Sequence, residues 1–119
     1  MLGARLPATN NALANLKRAV EERGDTLMVA IAPPAFQIET ERLDATFRLV
    51  GLNPEQARPD AVSNAVKDLL KRNKIPYCDL VDPLRRAHEA GGEMYLQYDG
   101  HWSPKGHAVV AGAIERCMR

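Results

Sequence analysis

Serine, cysteine, long apolar runs and any surplus of charge are all scarce in this chain, and each scarcity excludes something. The 119 residues carry 16 Lys+Arg against 15 Asp+Glu, a net charge of +1. A dedicated nucleic-acid binder needs a basic footprint to neutralise phosphates, so no nucleic-acid partner is expected. The longest uninterrupted apolar run, Leu27 to Ala32, falls far short of the roughly 20 residues a bilayer requires, so no membrane span is expected. Met1-Leu2-Gly3-Ala4-Arg5 is not a basic start leading into an apolar stretch, so no secretory signal is visible and the localisation stays open. Two cysteines, Cys78 and Cys117, are too few for a disulfide framework, and their separation matches no zinc spacing. Both are read as small core residues.

What is present is a globular composition, 45% hydrophobic and 26% charged. A chain of this size buries about 66% of its unfolded surface, enough for one core and one domain spanning 1–119, with residues 1–9 expected to be poorly ordered. Leu13, Leu16 and Val20 at helical spacing predict a helix from about Asn11 to Arg23, stopped by Gly24. Thr26 to Ala32 is a continuous apolar run without alternation, the pattern of a parallel strand buried on both faces, and Pro33-Pro34 ends it. A helix is predicted over Gln37 to Val50, and a stronger one over Asp60 to Lys71, where Ala61/Val62, Ala65/Val66 and Leu69/Leu70 recur every four residues. Ile75 to Leu80 reads as a second strand, Pro83 to Ala90 as a helix, Met94 to Leu96 as a short extended piece, and Ser103-Pro104 as the start of a last helix reaching Met118. This alternation places the chain in the α/β class, with a parallel sheet flanked by helices. Two strands alone leave both sheet edges unpaired, so the sheet is expected to be incomplete within these residues, with a second copy or a further segment covering its edge.

One segment is dense in chemistry. Tyr98-Asp99-Gly100-His101-Trp102-Ser103-Pro104-Lys105-Gly106-His107 packs an acid, two histidines and the only tryptophan into ten positions. An Asp two residues before a His in a loop lets the carboxylate accept the imidazole Nδ1–H, which leaves Nε2 free as a general base. Ser103 caps the following helix and Pro104 opens it, so the loop is held against a helix N-terminus.

This segment, followed by an Ala/Val-rich helix, resembles the C-terminal Asp/His block of the SGNH (GDSL-type) hydrolases. It is closest to the Asp-x-His-Trp branch that includes the acyltransferases acetylating alginate and related polysaccharides. The order of elements from residue 10 to 119 is similar to that superfamily as well. The resemblance implies a three-layer, flavodoxin-like fold, present only in part here, and no cofactor. By the same resemblance Asp99 orients His101, His101 is the general base, and the substrate is a small-molecule or polysaccharide acyl ester. Such polysaccharide-acylating relatives work outside the cytoplasm. Gly106 and His107 are assigned structural roles, the glycine allowing close helix packing.

The superfamily's nucleophile is a serine in a Gly-Asp-Ser-like block after a strand. The two serines here are Ser63, in mid-helix, and Ser103, beside the histidine, and neither follows a strand. Gly24-Asp25-Thr26 precedes a strand instead, so Thr26 reads as part of a turn. The enzyme reading is therefore an esterase or O-acyltransferase portion with the Asp-His pair but no nucleophile, inactive alone. The alternative is a non-catalytic SGNH-like carbohydrate-binding or scaffold module. Trp102 is read as an apolar anchor for the loop, with substrate stacking as its alternative role. A metal site built from Asp99, His101 and His107 is disfavoured, because His107 belongs to the helix and leaves two ligands. By the same resemblance Asp79 and Asp82, at the end of the second strand, are structural, and His88 is read as a surface or half-buried histidine making an ordinary hydrogen bond.

Overall fold

A computed structural model describes residues 2–119, with side chains from residue 6 onward. Of the stretch 1–9, Met1 and the side chains of 2–5 lie outside the described residues. The elements run α1 (Leu2–Glu22), β1 (Val29–Ile31), α2 (Ala35–Ile38), α3 (Thr40–Leu49), a 3-10 turn (Pro54–Gln56), α4 (Ala61–Arg72), β2 (Tyr77–Asp79), α5 (Val81–Glu89) and α6 (Pro104–Cys117). The two strands pair in parallel, with Val29 opposite Tyr77, Ala30 opposite Cys78 and Ile31 opposite Asp79. The mixed α/β class with a parallel sheet is thus observed, in a mostly helical chain whose small sheet fits an incomplete flavodoxin-like fold.

Side chains leave a strand alternately, so the two strands feed two separate apolar clusters. Ile31 and Ile75, with Val29 and Tyr77 beside them, pack against Leu70 of α4 and Leu13 of α1. Cys78 and Leu80 point the other way, into Val81 and Leu84 of α5, Val110 and Ala113 of α6, and Met94, Tyr95 and Ile38. Leu70 and Leu84 are fully buried, each contributing about 2 kcal/mol relative to an exposed side chain. Helices therefore flank both faces, yet β1 is not buried on both faces as its run suggested. Ala30 is exposed, although its strand partner Cys78 is buried against α5 and α6. The same openness appears in the dimensions. The radius of gyration is 16.1 Å, against about 13.5 Å for a closed domain of this length.

Several boundaries depart from the sequence reading for identifiable reasons. Helix α1 starts at Leu2, ahead of the predicted start near Asn11, and accommodates Pro7 in its interior. The helix expected over Gln37 to Val50 is two helices, interrupted at Glu39 (φ −94°, ψ 87°). In α4 the first apolar pair, Ala61/Val62, faces solvent, and Ser63 is buried in its place. The cysteines are also corrected. Cys78 and Cys117, 39 residues apart in sequence, form a disulfide with Cα atoms 5.7 Å apart. Cys78 is in the core as expected, but Cys117 is exposed at the end of α6, and the packing of α6 on β2 brings the two together.

Ser63 belongs to a polar node that ties α2, α4 and α5. Gln37 Nε2 donates to Ser63 Oγ at 2.8 Å and to Asp60 Oδ1 at 3.0 Å, and Arg85 Nη2 donates to the same carboxylate at 2.8 Å. The Arg85 hydrogen bond holds the Asp60 carboxyl below its ordinary value of 3.8, burial opposes this, and Gln37 adds to it. A depressed carboxylate stabilises the fold above the unfolded-state pKa and loses that contribution as pH falls through its folded value. Thermal stability is accordingly expected to decline below about pH 4, and Asp60→Asn to flatten that decline. Parallel melting curves of the two proteins between pH 2.5 and 6 check this.

Candidate active site

Residues 94 to 103 build a small hairpin. Leu96 N donates to His101 O at 2.9 Å, Ser103 N donates to Met94 O at 2.9 Å, and Tyr95 bridges antiparallel to Trp102. The extended piece expected at Met94 to Leu96 is one arm of it, and residues 97–100 form its tip. The hairpin runs directly into α6. Ser103 caps that helix, its Oγ accepting from Gly106 N at 3.0 Å and donating to Glu93 O at 2.6 Å, with Pro104 in the first turn. One serine thus fastens the helix start to the chain entering the hairpin.

Gly106 makes this junction possible. A Cβ there would lie 2.1 Å from the Met94 carbonyl oxygen and 3.0 Å from its carbon, both backbone atoms that cannot turn aside. Gly106→Ala is expected to destabilise by about 3 kcal/mol, the upper end of overpacking costs, and to do so by separating α6 from the hairpin. Urea unfolding measures the loss; a midpoint matching the native protein would refute the close approach.

At the tip, Asp99 and His101 meet as the spacing predicts. Asp99 Oδ1 accepts from His101 N at 2.8 Å and lies 3.2 Å from His101 Nδ1. The carboxylate therefore grips both the backbone and the ring of the same residue. That backbone hydrogen bond, more than the ring contact and charge of His101, holds the Asp99 carboxyl below its ordinary value, with slight burial opposing. Asp99 stays anionic into acid and favours a proton on Nδ1. The His101 side chain is 84% exposed, and its Nε2 has no hydrogen bond among the described residues.

Trp102 is half-buried. It packs on the core beside Met94 and Tyr95, and meets the His107 ring edge-on at 5.5 Å. That placement suits an anchor for the loop. Behind it, burial pushes the Tyr95 phenol above its ordinary value, the Trp102 indole opposes this, and Glu39 adds to it. The phenol donates to Pro33 O at 2.6 Å, so the end of β1 is tied to the hairpin. His107 is exposed on α6, and among the described residues no group of three or more His, Cys, Asp or Glu is arranged to hold a metal ion. His88 contacts Gly92 O at 2.8 Å and Glu41 at 3.1 Å. Asp79 caps Val81 N at 2.9 Å and pairs with Lys67, while Asp82 lies in the first turn of α5. Neither serine is free to attack a substrate, since Ser63 is buried against Gln37 and Ser103 is committed to its cap. Thr26 is exposed ahead of β1.

A cleft of about 400 Å³ opens beside the tip, and Phe36, Arg42, Thr46, Tyr98, Asp99 and Gly100 help line it. Phe36 is 44% exposed and Tyr98 92% exposed. Tyr98 opens the chemistry-dense segment but the sequence gives it no role, and Phe36 has no sequence signal. A surface aromatic is visible there only as composition, and its place on a cleft depends on the α2 break and the hairpin together.

A family model described as "SGNH hydrolase-like domain, acetyltransferase AlgX" matches residues 2–119. A probable alginate O-acetylase AlgJ of Pseudomonas putida is 24% identical over 106 residues, covering 89% of this chain and 26% of the relative. Its counterpart in Pseudomonas fluorescens is 24% identical over 107 residues, covering 87% and 24%. The Azotobacter vinelandii protein of the same name is 44% identical over 41 residues, covering 34% of this chain and 10% of the relative. The chain thus spans about a quarter of the length of these two Pseudomonas relatives. No solved structure matches it.

Proposed function

Because the chain belongs to the family of AlgX-type SGNH hydrolase-like acetyltransferase domains, we propose that it supplies the acid and base of a serine-dependent acyl transfer to or from a carbohydrate. The observation that carries this reading is the Asp99–His101 pair, in which the carboxylate engages Nδ1 and the backbone of the histidine while Nε2 faces outward. In the reaction a serine hydroxyl from outside these residues attacks the ester carbonyl carbon, and its proton passes to His101 Nε2. Asp99 stabilises the imidazolium. Collapse of the tetrahedral intermediate breaks the ester bond, and the departing alkoxide takes the proton from Nε2. An acceptor hydroxyl, or water, then attacks the acyl-serine by the same steps in reverse. The relatives' names specify alginate, so a polyuronate as acyl acceptor, or its acetyl ester as acyl donor, is the substrate class we assign, with the Phe36–Tyr98 cleft receiving sugar rings.

On this reading residues 1–119 form one portion of a single SGNH-like domain, and the exposed face at Ala30 is covered by the remainder or by a second copy. The Cys78–Cys117 bond favours an oxidising compartment, which agrees with a polysaccharide modified outside the cytoplasm. A second reading, a non-catalytic carbohydrate-binding or scaffold module, draws its support from the two committed serines.

A fluorophosphonate probe separates the two. The 119-residue chain is expected to remain unlabelled, and a longer protein joining it to a Gly-Asp-Ser-like block to be labelled on that serine, with labelling lost in His101→Ala. A longer protein labelled equally well without His101 would remove the catalytic assignment.

A further inference from the structure

We propose that the Glu39–Arg42 ion pair is a positioning pair for the Asp99–His101 loop, taking the place of a neighbouring strand along the outer edge of residues 94–96. The inference rests on the reading of Asp99 and His101 as the catalytic pair.

Glu39 is 2% exposed, an unusual place for a carboxylate, and it sits where the predicted single helix breaks into α2 and α3. Its Oε1 accepts from Met94 N at 3.1 Å and from Tyr95 N at 3.3 Å. Its Oε2 pairs with Arg42 Nε. Arg42 in turn donates from Nη1 to Leu96 O at 2.8 Å and from Nη2 to Tyr95 O at 3.3 Å.

Residues 94–96 present six backbone polar groups. Two of them, Met94 O and Leu96 N, are used within the hairpin, and the other four are taken by Glu39 and Arg42. A two-stranded hairpin is marginal by itself. Here one acid and one base satisfy the donors and acceptors that a third strand would otherwise meet, and they do so with charge-assisted bonds. A buried ion pair is a poor source of stability compared with apolar residues of similar volume. What it supplies is directional. The acid accepts only, the guanidinium donates only, and together they admit one register of the 94–96 arm. That register sets where His101 O meets Leu96 N, and hence where Asp99 can reach His101 N and Nδ1.

The test uses the full chain, isotopically labelled, with Arg42→Gln and Glu39→Gln. Arg42 is only half-buried, so Arg42→Gln is expected to fold, with amide exchange in α4 unchanged. Exchange of the Leu96 and Ser103 amides should accelerate at least tenfold, and the Asp99 carboxyl titration, followed by carbon NMR, should move up toward its ordinary value. A role confined to bulk stability would leave that titration where it is. If Arg42→Gln folds and both readouts match the native chain, the proposal is overturned. If it does not fold, Glu39→Gln keeps the accepting oxygen, removes the charge that holds the guanidinium, and is judged by the same two readouts. In a protein that also carries the serine block, the variant should lower kcat, while any change in KM reports the place of Arg42 on the cleft. A variant that shifts the Asp99 titration yet leaves kcat intact would retain the positioning pair and remove the catalytic reading of Asp99.

Discussion

Acyl transfer by a protein joining these residues to a serine nucleophile is expected to fall about 10⁴-fold when His101 is replaced by alanine. Such a loss corresponds to about 5.5 kcal/mol of transition-state stabilisation. The size follows from the chemistry: without Nε2 nothing takes the serine proton at neutral pH, and the donors that bind the oxyanion account for what remains. Asp99→Asn should cost less, about 10²-fold to 10³-fold, because Asp99 is half exposed and water can replace part of its effect on the ring. An asparagine also offers an amide N–H toward His101 Nδ1, which favours the wrong tautomer. Steady-state rates on an acetylated sugar ester measure both. Losses within threefold for both variants would show that this pair is not the acid and base.

The second large effect concerns stability. Cys117→Ser opens a covalent loop of 39 residues, and the loop-closure relation puts the cost at about 4 kcal/mol. For a domain of this size that lowers the Tm by about 15 °C. Cys117 is the better position to change, because its side chain is exposed while Cys78 is buried among apolar neighbours where a hydroxyl would add its own cost. Dithiothreitol should lower the Tm of the native protein to that of the variant and leave the variant unmoved. A reductant effect under 2 °C on the native protein would show that the bond contributes little in solution.

Both effects concern features that the sequence reveals to different degrees. The first strand is legible because a continuous apolar run ends at Pro33, the second as the short segment Ile75 to Leu80 with an acid near its end, and α4 because its apolar residues recur with the helical period. The Asp99–His101 contact is legible for the same local reason, since two residues in one loop need no tertiary information to meet. The disulfide is different. Its cysteines lie 39 residues apart, and only the packing of α6 on β2 brings them together. Glu39 and Arg42 lie within the helix predicted over Gln37 to Val50, and nothing local shows that a hairpin more than fifty residues later turns its open edge toward them. The exposed face of Ala30 was hidden for the converse reason: an apolar run reports what a strand is suited to, and not which neighbours are there to cover it.

The disulfide has a mechanical consequence for His101. Helix α6 has 14 residues, so it is about 21 Å long. At its first turn Ser103 and Gly106 lock it to the hairpin, and at its last residue Cys117 is bonded to the middle of β2. It is a beam fixed at both ends. Pivoting freely about one end, a rod of that length would carry its tip about 2 Å for every 5° of swing, whereas catalytic groups must be held within about 0.5 Å. Cutting the bond at Cys117 should therefore blur the aim of His101 from the opposite end of the helix, with no residue near the imidazole altered.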